Sequence, residues 1–130
     1  MRCLSIQQPF AWAVMSGLKR IENRSWRTDY RGPLAIHAAM TYWHMYALPC
    51  GTPVVEDEVW CGALLGVAEL TDCVRLADLP ADLRGDPHAA GPWCWLLANP
   101  RRLAAPVRMK GRVGLFRLPD EAMPLVEALR

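Results

Sequence analysis

The sequence predicts a mixed α+β domain, mostly β: a small curled sheet with short helices outside it. Three observations carry this. Apolar residues recur in many short runs with strand-like alternation. Glycine or proline punctuates most of these runs. One short amphipathic stretch, FAWAVM, sits between the first two runs, where a helix packs on a sheet. With 130 residues, 22% of them charged, and a mean hydropathy of +0.04, the chain reads as one domain over residues 1–130. That length supports a core that needs no staples.

Taken in order, residues 3–6 form the first strand. Pro9 suits the first turn of a helix, PFAWAVMSG follows, and Gly17 stops it. Phe10, Ala13, Val14 and Gly17 share one side of that helix. Residues 19–26 alternate as a strand, with Ile21, Asn23 and Ser25 on one face and Glu22, Arg24 and Trp26 on the other. Gly32-Pro33 marks a turn before PLAIHAA, the clearest strand, where Leu34, Ile36 and Ala38 share a face. Thr41 is placed to cap a short helix through Tyr46, and residues 48–58 have no regular pattern. CGALLGVAELTDCVRL is a long β-run in which Gly62 and Gly66 suit bends or bulges. Residues 79–91 read as a loop, a lid or a connector. PWCWLLANP is a strand with Trp93, Trp95 and Leu97 on one face; tryptophans so placed are usually core, with base stacking as the alternative. VRMKGRVGLFRL reads as a hairpin or a last strand, and residues 120–130 as a closing helix with Pro124 near its start.

Charge and cysteine usage narrow the class. A net charge of +2 permits nucleic-acid binding without demanding it, but the charge is uneven. Residues 17–31 carry five basic and two acidic side chains, and residues 100–117 carry six basic and none acidic. Acidic residues within 56–86 offset the excess. The five cysteines are scattered and odd in number, without a CxxC pair, and the start lacks a signal-peptide pattern. Reduced, mostly buried thiols in a cytoplasmic protein are expected. His37, His44 and His88 fall at no recurrent metal-ligand spacing, so neither a metal nor another cofactor is expected. No apolar run approaches the ~20 residues of a membrane span.

One constellation could carry chemistry. Gly17, Lys19, Glu22 and Arg24 spell G-x-K-x-x-E-x-R directly after the first helix. On a strand, Glu22 and Arg24 would project from one face with bases about 7 Å apart. A carboxylate there can orient the cations, which then grip a phosphate or polarise a carbonyl. A solvated ion-pair ladder fits the same spacing. Trp26 on the same face favours a covered cleft, since exposed indole surface is unfavourable.

The stretch LSIQQPFAWAVMSGLKRIENRSW, followed by GPLAIHAA, resembles the opening of an ASCH domain, a member of the PUA-like superfamily. The matching pieces are Ser5 to Ala11, then Gly17, Lys19, Glu22 and Arg24; the later strands match more loosely. The likeness is nearest to the small stand-alone bacterial and endothelial-type branch, which often has an arginine where this chain has Gln7. The resemblance implies a PUA-like β-barrel of five or six strands with flanking short helices, and a cleft beside the first helix lined by the G-x-K-x-x-E-x-R residues. It implies an RNA- or nucleotide-binding module. Some small relatives are hydrolases, acting on N4-acetylcytidine or as ribonucleases. The amidohydrolases use a lysine and a threonine three residues later; here that position is Glu22, so their hydroxyl nucleophile is missing from its place.

The expected ligand contacts are therefore Gln8, Lys19, Glu22, Arg24, Trp26 and Lys110. Gln8 offers an amide for a base edge or else only shapes a turn. Lys110 lies in a basic segment with Arg101, Arg102, Arg108 and Arg112, where Gly111 and Gly114 let a ligand approach the backbone. As the alternative, Glu22 would act as base and Lys19 as electrostatic support in a hydrolase. A third reading is a domain that docks a protein partner and whose charged strip is a solvated rim.

Overall fold

In RCLSIQQ, Leu4 and Ile6 face one side of the sheet and Cys3 the other. In the computed structural model, which describes residues 1–129, this stretch is β1 (Arg2–Gln8). The helix α1 (Phe10–Met15) follows at once, and five of its six residues are buried. Ala11 and Ala13 are small enough for it to press against the sheet on most of its circumference. Its first turn is capped from outside: Gln8 Oε1 accepts the Trp12 N–H at 2.8 Å, one of the donors a helix start leaves open. Gly17, at φ +77°, reverses the chain into β2 (Ile21–Arg24).

The long strands come next: β3 (Gly32–Tyr42), β4 (Ala63–Arg75) and β5 (Trp93–Arg108), then the short β6 (Leu115–Arg117) and the closing helix α2 (Met123–Glu127). Strand order is β2-β5-β4-β3-β1-β6. Among the described residues only the β1–β3 pair is parallel. β3 is buried on both faces. Leu34, Ile36 and Ala38 enter the main core with Leu4, Ile6, Val14 and Trp95. Ala35 enters a second core with Leu64, Phe116 and Val126, beneath α2. Trp95, with no exposed surface, is among the largest fully buried side chains. Trp93 lies under the Arg75 guanidinium, 4.6 Å from its ring centre.

Three expectations change. The sheet curls but does not close into a barrel: β2 pairs only with β5, and β6 only with residues 2–4 of β1. These end strands are too short to meet, so β1 beyond Leu4 keeps an unpaired outer edge. No helix forms after Thr41. The chain stays paired to Tyr42, opposite Gln8, and the Trp43 N–H bonds the Gln8 carbonyl at 2.7 Å, which holds it extended. The expected strand over residues 92–100 and part of the following segment form one 16-residue strand, β5 (Trp93–Arg108), bent by register shifts along β4. The closing helix starts with a single 3₁₀ turn (Asp120–Ala122), with Pro124 in the first helical turn of α2; Arg130 lies outside the described residues. Residues 76–91 run from β4 to β5 through two 3₁₀ turns (Leu76–Asp78 and Ala81–Leu83), and their Leu79 and Leu83 pack with Ile21 and Leu96.

The five cysteines are free thiols, and burial pushes Cys3 up to about 12. Among the described residues no helix is long and apolar enough to cross a membrane.

Gly66 sits at the first bulge of β4. A methyl there would collide with the Arg101 carbonyl oxygen and Met15 Cε. At Gly17 nothing lies within 4 Å of the added atom, so only backbone strain opposes it. Urea unfolding should therefore find Gly66→Ala destabilising by about 2–3 kcal/mol and Gly17→Ala by about 1 kcal/mol. Equal costs would mean the β4–β5 approach is looser than described.

Candidate functional site

Helix α1 ends on a tight turn in which the Leu18 and Lys19 N–H groups both reach the Ala13 carbonyl. This turn sends the Lys19 side chain back along β2. Lys19 Nζ lies 2.7 Å from Glu22 Oε1 and also donates to the Ile21 carbonyl. Two positions on, and so on the same face, Arg24 Nη2 lies 3.0 Å from Glu22 Oε2. The same Nη2 donates to the Ser5 carbonyl at 2.8 Å. Arg24 thus crosses from β2 to the unpaired edge of β1 and bridges the open seam of the sheet. Lys19 is only 4% exposed and Glu22 8%, so this pair is held out of water and fully compensated.

The seam opens into a cleft of about 610 Å³. Lys19, Glu22 and Arg24 form one wall; Ser5, His88 and Arg112 are among the other lining residues. Three cations therefore face one carboxylate. Below Ser5 lies His37, its paired residue on β3. Ser5 Oγ is 2.8 Å from His37 Nδ1, and His37 Nε2 is 2.6 Å from the Met109 carbonyl. A carbonyl only accepts, so Nε2 carries the hydrogen and the Ser5 hydroxyl donates to Nδ1. Gly111 packs flat against this pair: a Cβ there would stand 2.5 Å from Ser5 Oγ. The opposite wall is tied down by Asn23. It donates to the His88 carbonyl at 2.7 Å and accepts from Ala90 and Gly91 N–H at 2.9 and 2.8 Å. Burial lowers both His37 and His88 below the usual histidine value; for His88 the nearby Lys19 charge adds to this and Asp86 opposes it.

Of the residues expected at the site, Lys19, Glu22 and Arg24 converge in the cleft. Gln8, Trp26 and Lys110 do not line it. Gln8 is wholly buried, its Nε2 donating to the Trp60 carbonyl at 2.8 Å, so its amide is used in holding α1 and residue 60 together. Trp26 leaves β2 in a bend and meets Trp95 edge-on, ring centres 4.8 Å apart. Lys110 lines a neighbouring groove of about 520 Å³ with Arg108, and Arg112 borders both hollows. Arg101 and Arg102 turn to Glu69 and to the end of α1 instead. Sequence reading missed Ser5, Asn23 and His88. Ser5 and His37 needed the parallel strand register, and His88 needed the loop's fold. Trp43 was also overlooked. It is 54% exposed, and its indole N–H donates at 2.6 Å to Gln7, which lines the cleft. Among the described residues no three His, Cys, Asp or Glu side chains gather as a metal site would require.

A curled, open six-stranded sheet with a charged cleft at its seam is a PUA-like architecture. Within that class the chain belongs to the ASCH domain family, whose model matches residues 4–106. It is 28% identical over 127 residues to Activating signal cointegrator 1 of Homo sapiens, and 28% identical over 129 residues to that of Mus musculus. Each match covers 89% of this chain but only 22% of the relative. The crystal structure of ASCH from Zymomonas mobilis has the same fold, with a TM-score of 0.58 at 17% identity, covering 98% of this chain and 94% of that one.

Two outcomes follow from the buried charges. Glu22→Ala leaves Lys19 and Arg24 without their shared partner and should destabilise by about 3 kcal/mol in urea unfolding. Lys19→Met combined with Glu22→Leu should cost less than Glu22→Ala alone. The histidines give a pH dependence. Unfolded, they take up protons near pH 6.5; folded, their lowered values delay this. Their stabilising contribution is full above pH 6.5 and declines as pH falls below it, so the melting temperature should drop between pH 7.5 and 5.5.

Proposed function

We propose that the domain is an RNA- or nucleotide-binding module, with the cleft as its phosphate site. The observation that carries this is the surplus of positive charge at the seam, where Lys19, Arg24 and Arg112 face a single carboxylate. Buried Glu22 fixes the geometry of two of these cations before a ligand arrives, which lowers the ordering cost of binding. A strand of RNA leaving the cleft past Arg112 reaches Lys110 and Arg108 in the next groove. Trp43, at the rim beside Gln7, supplies the ring surface on which a base stacks, the part first expected of Trp26.

A hydrolase acting on RNA or an N4-acylated cytidine has the 2.7 Å Lys19–Glu22 contact in its favour. The Arg24 contact on the other carboxylate oxygen weighs against it, because a cation then competes at each oxygen of Glu22 with the water it would have to activate.

Fluorescence titration with a short single-stranded RNA tests the main reading. Binding should weaken with salt, with a slope of about −2 in log–log form for three phosphate contacts. Arg112→Ala should reduce that slope, and Trp43→Ala should weaken binding about tenfold while leaving the slope unchanged. No binding at low salt would sink the proposal. Turnover of N4-acetylcytidine or RNA that disappears in Glu22→Gln would revive the hydrolase.

A further inference from the structure

Three described side chains carry buried polar atoms with no hydrogen-bond partner, and two of the three line the cleft. They are His88, through both ring nitrogens, and Arg24, through its Nε. His88 is 4% exposed. Orphaned atoms of this kind are rare in folded proteins, and a cluster of them at a cavity wall marks the place where a missing partner belongs. Asn23, the polar side chain tied to this loop, is already committed to the His88 carbonyl and to the Ala90 and Gly91 N–H groups.

We propose that His88 and the Nε edge of Arg24 form the anion subsite of the cleft, that it takes one phosphodiester group of the RNA or nucleotide inferred above, and that His88 gains a proton as the anion arrives. This rests on the binding-module reading and goes beyond it by naming the contact and its proton. Phosphodiester oxygens only accept hydrogen bonds, and Arg24 Nε only donates. An imidazole donates from both nitrogens once protonated. A small turn of the ring into the cleft exchanges its unpartnered nitrogens for partnered ones.

The charges around His88 set the sign. Lys19, from the turn before β2, and Arg24, on β2, oppose its protonation. So does Arg112, from the segment before β6. Asp86, two residues away in its own loop, favours it, as does Glu22, which the two β2-side cations already engage. His37, on β3 below Ser5, stays neutral in its bond to Met109. Before an anion arrives, burial first and the Lys19 charge second hold the ring neutral. An arriving anion reverses the balance, so affinity rises as pH falls through the ordinary histidine range.

The test uses diuridine monophosphate, whose single phosphodiester keeps one charge between pH 5.5 and 7.5, so that the ligand does not titrate. Calorimetric titrations run at both pH values, each in two buffers of different ionisation enthalpy. The wild-type chain should bind several-fold more tightly at pH 5.5, with net proton uptake. His88→Asn and His88→Gln, both checked for folding by thermal melting, should bind with no pH dependence, and uridine, which lacks the phosphate, should show none with the wild type. Inorganic sulfate should compete at pH 5.5 with the wild type and lose that competition in His88→Asn. If both variants keep the wild-type pH dependence, or no proton is taken up, the His88 subsite is overturned while the binding module stands. If diuridine monophosphate binds at neither pH, both are overturned.

Discussion

The position of one carboxylate governs this domain. Glu22 sits on an end strand with almost no water around it and holds Lys19 with one oxygen and Arg24 with the other. Arg24, so held, reaches the Ser5 carbonyl, just past the residues of β1 that β6 pairs. A salt bridge out of water is weak evidence for stability, since desolvation offsets much of the attraction. Its value here is geometric. Remove it and two cations lose their aim, while the seam between β2 and β1 loses its side-chain bridge. The fold and the candidate site thus share one set of atoms.

That sharing follows from strand lengths. β6 spans three residues and β2 four, whereas β4 and β5 span thirteen and sixteen. Long central strands curl under their own twist and bulges. Short outer ones stop before their edges meet. Backbone groups left along such a gap need partners from somewhere. Side chains provide them in part: Arg24 for Ser5, and Asn23 for the loop that forms the far wall.

Much of this was legible in the residues themselves. Alternation in PLAIHAA gave β3, and the spacing of Glu22 and Arg24 gave their shared face, because both depend only on local geometry. The G-x-K turn was legible too, since a positive φ after a helix is a glycine signature. What could not be read there depended on distant partners. Trp26 continues the alternation in sequence, but the strand ends at Arg24 and the indole is drawn to Trp95. For Gln8 a base-edge contact and an entry turn were both open from the sequence, and the fold places its amide at the start of α1, on the Trp12 N–H. Thr41 looked like a helix cap until the β1 edge claimed the chain up to Tyr42. His88 carried no pattern at all; its place comes from the packing of Leu79 and Leu83 and from the Asn23 tether.

Gly111 lies flat over Ser5 and His37, between the hollow that holds Lys19 and the one that holds Lys110. Its missing side chain would point inward, 2.5 Å from the Ser5 hydroxyl and 2.6 Å from the His37 ring. Any larger residue would have to push both aside, and with them the chain of hydrogen bonds from Ser5 through His37 to the Met109 carbonyl. The floor shared by β1, β3 and the segment before β6 is thereby held together by an atom that is not there.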